Sequence, residues 1–319
     1  MSNCASEAII LRRCDYGEAD RIVTFFSLEQ GLVKGFARRA RNSRRRFGTA
    51  LEPFARVCLH WTTVRGGELV SLCDAELLDL RTALRRDVTT LALAATGGEL
   101  VEALLAERQP QAEVFGLLEA FLDHLARRGF SAEARLLFEL RLLNLAGYAP
   151  HLAHCALCSR GLSGSMVAFD IRQGGALCLG CAEPEQGLRL SPLTLGTLAR
   201  LQRSPLTAFD GLRLSSQTLQ EGARLLAAAV DSGVAVQPVA IRYRRDGQRD
   251  PLAPFIGDDE LPEHLLRLFA AERATVEITL LAPIASQGLS RSELARRSQD
   301  AIAAVVCAEK QPAAIREAA

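Results

Sequence analysis

Four cysteines arranged as two Cys-x-x-Cys pairs place the strongest constraint on the fold of this chain. Cys155 and Cys158 form the first pair, Cys178 and Cys181 form the second, and 19 residues separate the two pairs. Two residues between cysteines allow one tight turn to direct both sulfur atoms at the same ion, and a second such turn completes a tetrahedron. The spacing therefore predicts a closed structural site that binds one zinc ion (Zn2+) through four thiolates.

The sequence leaves three states open for these cysteines. The four residues are free thiols, two disulfides or metal ligands, and the joint match of both pairs and the spacer favours the metal. His151 and His154 lie just upstream and offer an alternative ligand, although four cysteines already complete the set. Residues 159–177 are rich in Gly and Ser and hold a short apolar run, which predicts a small β-hairpin that returns the chain to the metal.

Length and composition indicate a soluble, folded protein of the cytoplasm. The 319 residues predict two or three domains, and 49% hydrophobic with 24% charged residues is ordinary for such proteins. No run of 18 apolar residues occurs, and the first residues lack the regions of a secretory signal, so we expect no membrane span and no export.

The nine cysteines are an odd number, and those outside the two Cys-x-x-Cys pairs show no pairing pattern, which indicates a reducing compartment. Cys58 and Cys73 lie in apolar runs and are expected to be buried.

Residues 7 to about 80 have the pattern of a small β-domain. Runs rich in β-branched and aromatic residues alternate with turn signals. Five short strands in about 70 residues predict a small closed barrel, and the OB-fold is the natural candidate. Four aromatic residues lie in the predicted strands, namely Phe25, Phe26, Phe54 and Trp61. At least half of the four are expected to fill the barrel core. The predicted strands are residues 7–13, 21–26, 32–36, 54–61 and 68–73.

A basic run lies between the third and fourth predicted strands of a chain whose net charge is only +1. Arginine makes paired hydrogen bonds to phosphate and stacks on bases, and OB barrels bind single strands through a basic groove and aromatic residues. The run therefore predicts contacts with nucleic-acid phosphates, and a solvated loop without a partner is the alternative. The candidate residues are Lys34, Arg38, Arg39, Arg41, Arg44, Arg45 and Arg46.

The lysines argue against one class of enzyme. Lys34 and Lys310 are the only lysines in the chain, and neither follows a glycine. A Walker A loop requires a lysine directly after a glycine, because that lysine reaches the nucleotide phosphates. We therefore expect no ATP hydrolysis by that route.

The pattern changes to helices from about residue 79. Leucines recur at spacings of three and four residues, which is typical of helices packed in a bundle. Ser131 is the predicted N-cap of one helix, and Gly147 follows its C-terminus. Ser191 and Pro192 predict the start of the next helix after the cysteines, and a further helix spans about 216–230. The expected result is a helical bundle that the zinc site interrupts.

Three stretches of the chain resemble the RecO family of bacterial recombination mediators. Residues 7–12 (EAIILR) with 15–21 (DYGEADR) are similar to the family's opening strand and turn. Residues 36–41 (FARRAR) with 51–54 (LEPF) are similar to its basic loop and following strand, and residues 138–150 (FELRLLNLAGYAP) to its approach to the zinc site. The resemblance covers roughly residues 5–230.

The resemblance implies a function and a set of partners. RecO proteins are not enzymes; they bind single- and double-stranded DNA and anneal complementary strands. With RecR they help to load RecA onto gaps covered by single-strand binding protein, so we expect this chain in the cytoplasm, associated with the nucleoid. The zinc site of those family members that have one is structural.

The last 85 or so residues have a different resemblance. Residues 236–243, 253–259, 276–284 and 290–296 look similar to the C-terminal part of 1-acylglycerol-3-phosphate acyltransferases, and their pattern predicts strand, helix, strand and helix. That family requires a histidine as base with an aspartate five positions later. None of the five histidines here has an aspartate at that position, so this segment is expected to lack acyltransferase activity.

We therefore expect an α+β chain of three parts. Residues 1–79 form a five-stranded OB-fold barrel, residues 80–232 a helical domain with the zinc site at 151–185, and residues 233–319 a small α/β extension. The expected function is that of a non-enzymatic, DNA-binding recombination mediator. A protein-interaction scaffold is the main alternative, and a lipid acyltransferase is disfavoured by its missing base.

Overall fold

The computed structural model describes residues 3–63, 69–183, 187–230, 238–245, 248–249, 275–282, 284 and 291–307. The chain divides into two compact units, residues 1–232 and residues 233–319. Among the helices in the described ranges, none combines the length and the apolar character needed to cross a membrane.

The first unit begins with a closed barrel of five strands. These are β1 (Asn3–Tyr16), β2 (Asp20–Ser27), β3 (Gly31–Ala37), β4 (Arg56–Thr62) and β5 (Val70–Asp79). They follow the order β1-β2-β3-β5-β4, and β4 pairs with β1 to close the barrel. All neighbours are antiparallel except β3 and β5. The predicted five-stranded N-terminal barrel is confirmed.

Alternation along the strands gives the barrel an interior face and an outer face. Phe25 and Trp61 lie in the interior, with ring centroids 5.4 Å apart. Phe26 and Phe54 are buried on the outside, where they join the core of the helical body. Half of these four aromatic residues therefore fill the barrel, and the other half attach it to the helices.

The expectation that Cys58 and Cys73 are buried is wrong. Cys58 in β4 is half-buried, and Cys73 in β5 is exposed. Each is a direct neighbour of an interior residue, Leu59 or Leu72. Because successive side chains of a strand point to opposite faces, both thiols point outward. An apolar run identifies a strand but not which of its residues face inward.

Helices form the body of the first unit and share one hydrophobic core. Ser131 and Ser191 cap two of the helices, since each hydroxyl accepts a hydrogen bond from the backbone N–H three residues later. Gly147 has φ 85° just after the first of these helices, a conformation that glycine adopts without strain. The predicted helical body and its caps are confirmed. The helices are α1 (Val88–Leu104), α2 (Ala112–Arg128), α3 (Ala132–Leu145), α4 (Pro192–Gln202) and α5 (Ser216–Val230).

The cysteine segment is inserted between α3 and α4. It contains β6 (Val167–Asp170), β7 (Gly175–Leu177) and β8 (Leu188–Leu190), which pair in the order β7-β6-β8. The predicted hairpin is confirmed as β6 and β7, and β8 adds a third strand. Val167 and Phe169 belong to the core of the helical body, so β6 anchors the segment to that body.

The first turn of α4 depends on a buried carboxylate from α5. Glu221 accepts hydrogen bonds from the backbone N–H and the hydroxyl of Ser191, both at 2.9 Å, and from the amide of Gln217 at 2.9 Å. Burial by itself raises the pKa of Glu221, but hydrogen bonds from Thr194, Gln217 and Ser191 outweigh it and lower the pKa to about 2. The carboxylate therefore stays charged in the folded protein.

This low pKa predicts a pH-dependent contribution to stability. A carboxylate whose folded pKa lies below its ordinary value of 4.5 stabilises the fold above that pH, and the contribution is lost as the pH falls towards about 2. We expect Glu221→Gln to lower the free energy of unfolding by about 2 kcal/mol at neutral pH and by progressively less below about pH 4.5. Urea unfolding of both proteins across this pH range measures the difference.

The control for this prediction is Glu113→Gln, which removes an exposed carboxylate from the first turn of α2. Its effect on the free energy of unfolding should stay within about 0.5 kcal/mol. A difference between the wild type and Glu221→Gln that did not change with pH would contradict the assignment.

The second unit contains a small antiparallel sheet and a helix within its described residues. These are β9 (Val239–Arg245), β10 (Gln248–Arg249), β11 (Thr275–Leu280) and α6 (Arg291–Cys307). The strands pair in the order β10-β9-β11, and Glu277 on β11 pairs with Arg244 on β9 at 2.9 Å. The strands predicted near 236–243 and 276–284 correspond to β9 and β11. The predicted segment 253–259 lies outside the described residues.

Candidate metal centre and nucleic-acid interface

The two Cys-x-x-Cys pairs meet in one cluster. The sulfur atoms of Cys155, Cys158, Cys178 and Cys181 all lie within 4.8 Å of one another, and those of Cys158 and Cys178 are 3.6 Å apart. Four thiolates bound to one zinc ion at about 2.3 Å would have their sulfur atoms about 3.8 Å apart. The cluster therefore has the donor atoms and the dimensions to hold a tetrahedral metal ion.

The two pairs share the same turn geometry. The backbone N–H of Ser159 donates to the carbonyl of Cys155 at 2.9 Å, and the N–H of Ala182 donates to the carbonyl of Cys178 at 2.9 Å. Ser159 has φ 58°, which turns the chain sharply after the first pair. Because each turn is local, the spacing of each pair is sufficient to bring its two sulfur atoms together.

Backbone N–H groups stabilise a thiolate at this centre. The N–H of Cys178 lowers the pKa of Cys155 to about 6 against the effect of burial, and the N–H groups of Cys158 and Leu157 act in the same direction. In contrast, contacts with the sulfur atoms of Cys158 and Cys178 raise the pKa of Cys181 to about 12. Four sulfur atoms at this separation therefore need a cation before all of them become thiolates.

The two histidines upstream are not part of the cluster. Nε2 of His151 and Nδ1 of His154 are 2.8 Å apart and bond to each other. The backbone of His151 extends the sheet, since it donates to Gly174 and accepts from Ala176, both at 2.8 Å. Gly175 permits this close approach because a Cβ there would lie 2.9 Å from the Cβ of His151. His151 thus aligns the cysteine segment rather than completing the cluster.

The basic loop, defined as residues 38–46, is packed onto the barrel. Ala40 and the nearby Phe47 and Leu51 are buried in the barrel interior. Residues 40–42 form a 3-10 helix, and the N–H of Ala75 in β5 donates to the carbonyl of Arg46 at 2.9 Å. The loop is therefore anchored at both ends, unlike a solvated loop without structure.

Four of the seven predicted cations have free guanidinium groups. In the part of the chain that the structure describes, the side chains of these four residues make no ion pair and no hydrogen bond. All four are exposed, and the backbone N–H of Arg39 is tied to the carboxylate of Asp20 at 2.7 Å. The loop thus presents four unpaired positive charges; they belong to Arg38, Arg39, Arg44 and Arg45.

The other three predicted cations already have partners within the chain. Nζ of Lys34 lies 2.6 Å from a carboxylate oxygen of Glu107, and Nε of Arg41 lies 3.6 Å from one of Asp15. Arg46 donates to a backbone carbonyl of the basic loop at 2.7 Å. These pairs lie at the surface, so a phosphate would have to compete with them. The sequence did not separate the three from the four free arginines.

The turn between β1 and β2 is bonded to the basic loop. The backbone N–H of Arg41 donates to the carbonyl of Ala19 at 3.0 Å, and its guanidinium donates to the carbonyl of Glu18 at 3.1 Å. Tyr16 ends β1 at this turn, is 57% exposed and meets the ring of Phe36 edge-on at 5.8 Å. In the sequence, Tyr16 belongs to residues 15–21, which resemble the family's opening turn, and no local pattern shows that this turn lies beside the basic loop.

Comparisons with known proteins give matches along both parts of the first unit. The family described as "Recombination protein O N terminal" matches residues 1–81, and "Recombination protein O C terminal" matches residues 85–238. The DNA repair protein RecO of Syntrophotalea carbinolica is 54% identical over 71% of this chain and 88% of its own length. The DNA repair protein RecO of Anaeromyxobacter dehalogenans strain 2CP-1 is 38% identical over 87% of this chain and 98% of its own length. The protein of the same name in Geobacter metallireducens is 36% identical over 72% of this chain and 92% of its own length.

The acyltransferase resemblance of the C-terminal residues is not supported. The alignment with the A. dehalogenans protein covers 87% of this chain, which is more than the 232 of 319 residues in the first unit. Similarity to RecO proteins therefore continues beyond the first unit. The acyltransferase resemblance depended on four stretches of seven to nine residues, and likeness over such short stretches does not establish a family.

The matches agree with the architecture of the chain. The two matched ranges correspond to the barrel and to the helical body with its cysteine segment. The three relatives are each at least 36% identical, and the alignments cover at least 88% of their own lengths. This chain therefore belongs to the RecO family of DNA repair proteins.

Proposed function

We propose that this chain is a DNA-binding recombination mediator without catalytic activity. The observation that carries the proposal is the set of four exposed, unpaired arginines on a packed loop of an OB-type barrel. A packed loop loses little conformational freedom when its cations bind phosphate, so more of the interaction energy appears as affinity. Contacts with phosphate carry no sequence information, so this surface would bind single- and double-stranded DNA of any sequence.

The same contacts would promote strand annealing. Two complementary strands repel each other through their phosphates, and a protein that neutralises phosphates on both strands lowers this repulsion. Each phosphate contact releases condensed counterions, so the effect weakens steeply as salt is added. The mechanism requires no group that attacks DNA, which fits the proposal that the chain is not an enzyme.

We infer that the metal of the cysteine cluster is zinc and that its role is structural. Four thiolates are a preferred ligand set for this ion, and they leave no coordination position for water or substrate. When bound, the ion supplies a cross-link between the two cysteine turns. Cys155, Cys158, Cys178 and Cys181 would hold it, and the small apolar core around Cys155 would cover it on one side.

Family membership also supports a proposal about partners. We expect the chain to act in the cytoplasm at the nucleoid, together with RecR, and to help load RecA onto gaps covered by single-strand binding protein. The basic loop would supply the DNA contacts in such an assembly.

Fluorescence-monitored annealing of complementary single strands tests the proposal. We expect the chain to accelerate annealing at about 50 mM salt and to lose most of this effect at about 200 mM. Elemental analysis of the same sample should give about one zinc per chain. Bound metal without annealing and without a gel shift of DNA would overturn the proposal and favour a protein-interaction scaffold.

A further inference from the structure

Tyr16 differs from the other aromatic residues of the barrel domain. Residues 1–79 contain one tyrosine, one tryptophan and five phenylalanines. The tryptophan and four of the phenylalanines are buried, and the fifth, Phe36, is half-buried. Tyr16 is 57% exposed, so it is the aromatic ring of this domain that is most accessible to a ligand.

The exposed ring has a defined orientation. Phe36 meets Tyr16 edge-on, with centroids 5.8 Å apart and an interplanar angle of 81°. This T-shaped arrangement is a favourable geometry for two aromatic rings. Phe36 lies on β3 between the interior positions Gly35 and Ala37, so its side chain is on the outer face of the barrel. The pair therefore leaves the Tyr16 ring supported from one side and open to solvent.

The loop that carries the free arginines is bonded to the hairpin that carries this ring. The turn after Tyr16 bonds to the basic loop through Arg41, and Asp20 bonds to the backbone of Arg39 at 2.7 Å. Tyr16 and Asp20 are directly paired across the β1–β2 hairpin. The loop with its unpaired guanidinium groups and the open aromatic ring thus belong to one connected surface. Proteins that bind single strands combine these two elements: cations follow the phosphates, and aromatic rings stack on the bases.

We propose that Tyr16, supported by Phe36, is a stacking site for an unpaired nucleobase. The inference deepens the proposed function and depends on it, since the arginines must hold the strand for a base to reach the ring. In a duplex, each base is already stacked between its neighbours and paired, so it is not available to Tyr16. Phosphate contacts would therefore serve both forms of DNA, whereas Tyr16 would add affinity only for single strands.

The test compares Tyr16→Ala with the wild type on three DNA probes of equal length. The probes are an oligo(dT) strand, a strand of the same phosphate backbone built from abasic tetrahydrofuran units, and a duplex. We expect the substitution to weaken binding of oligo(dT) about tenfold and to leave the abasic strand and the duplex within about twofold. Tyr16→Phe keeps the ring and should restore oligo(dT) binding to the wild-type level.

A direct readout supports the affinity measurement. A strand that contains 5-iodouracil is irradiated on the wild-type protein, and the adduct is mapped by mass spectrometry. We expect the adduct at Tyr16 and its loss in Tyr16→Ala. Thermal unfolding should be unchanged in Tyr16→Phe, which keeps the contact with Phe36, and only slightly weakened in Tyr16→Ala, because most of the side chain is exposed.

The outcomes separate this inference from the proposed function. Equal affinities of the wild type and Tyr16→Ala for oligo(dT), or an equal loss on all three probes, would overturn the stacking site while DNA binding stands. Failure of the wild type to bind any probe would overturn both.

Discussion

Cys155→Ser is expected to abolish metal binding and to disorganise the cysteine segment. Cys155 is buried at the centre of the small core that also contains Ala168 and Leu177. With one ligand lost, three sulfur atoms remain around a site that needs four to exclude water and to satisfy the ion. Structural zinc contributes about 10 kcal/mol or more to small domains, which is as much as the stability of many whole proteins. The segment should therefore not remain folded without the ion.

The effect should reach the helical body through β6. Val167 and Phe169 are buried in the core of that body, and full burial of each such side chain contributes about 1.5–3 kcal/mol. If the segment detaches, both side chains lose this burial, and the melting temperature should fall by about 10 °C. Differential scanning calorimetry measures the melting temperature, and elemental analysis of the same samples measures the metal.

The matched control is Cys14→Ser, which removes an exposed thiol of the barrel that lies outside the cluster. It should retain one metal ion per chain and the wild-type melting temperature. A strong chelator added to the wild type should reproduce the effect of Cys155→Ser. Full metal content in Cys155→Ser, or an unchanged melting temperature after complete removal of the metal, would contradict the structural role.

Replacing the four free arginines with alanine should produce the largest loss of DNA binding. The variant carries Arg38→Ala, Arg39→Ala, Arg44→Ala and Arg45→Ala. Each phosphate contact contributes about 0.9 to the slope of log affinity against log salt for a duplex and about 0.7 for a single strand. Loss of four contacts should lower the slope by about 3 and the affinity by two to three orders of magnitude at about 100 mM salt. Fluorescence anisotropy at several salt concentrations measures both quantities.

A second variant with the same loss of charge is the control. Arg172→Ala, Arg200→Ala, Arg213→Ala and Arg224→Ala remove four exposed arginines from the cysteine segment and from residues 192–230. If binding depends on the basic loop, this control should weaken it less than about threefold through the change in net charge. Equal losses in the two variants would show that the overall charge, and not the loop, determines affinity.

The cysteine cluster and the secondary structure were largely predictable because they depend on local patterns. Each Cys-x-x-Cys turn is stabilised by hydrogen bonds between residues four apart, so the spacing of the cysteines contains the necessary information. The same holds for the serine caps, in which the hydroxyl bonds to a backbone N–H three residues later. The barrel was predictable from the number and spacing of its strands, although its closure requires pairing of β1 with β4.

Two of the engaged cations have partners that are acidic side chains far away in the sequence. Lys34 is paired with Glu107 at 2.6 Å, and Arg41 is paired with Asp15 at 3.6 Å. No pattern within the basic run predicts these partners, so the run appeared as seven equivalent cations. Only the folded chain divides them into four that are free for phosphate and three that are engaged.

Burial shows the same division between local and distant causes. Arg141 lies in a leucine-rich helix and is 1% exposed, because it bonds to the carbonyls of Leu206 and Ala208 more than 60 residues away. Tyr16 appears in an ordinary turn sequence, yet hydrogen bonds from Arg41 place that turn beside the basic loop. Local sequence thus determined the helices and the two cysteine turns, since their hydrogen bonds join near neighbours, and it indicated the strands through their composition and spacing. Tertiary packing alone determined which charges are unpaired and which aromatic ring is exposed, because those properties depend on contacts between distant segments.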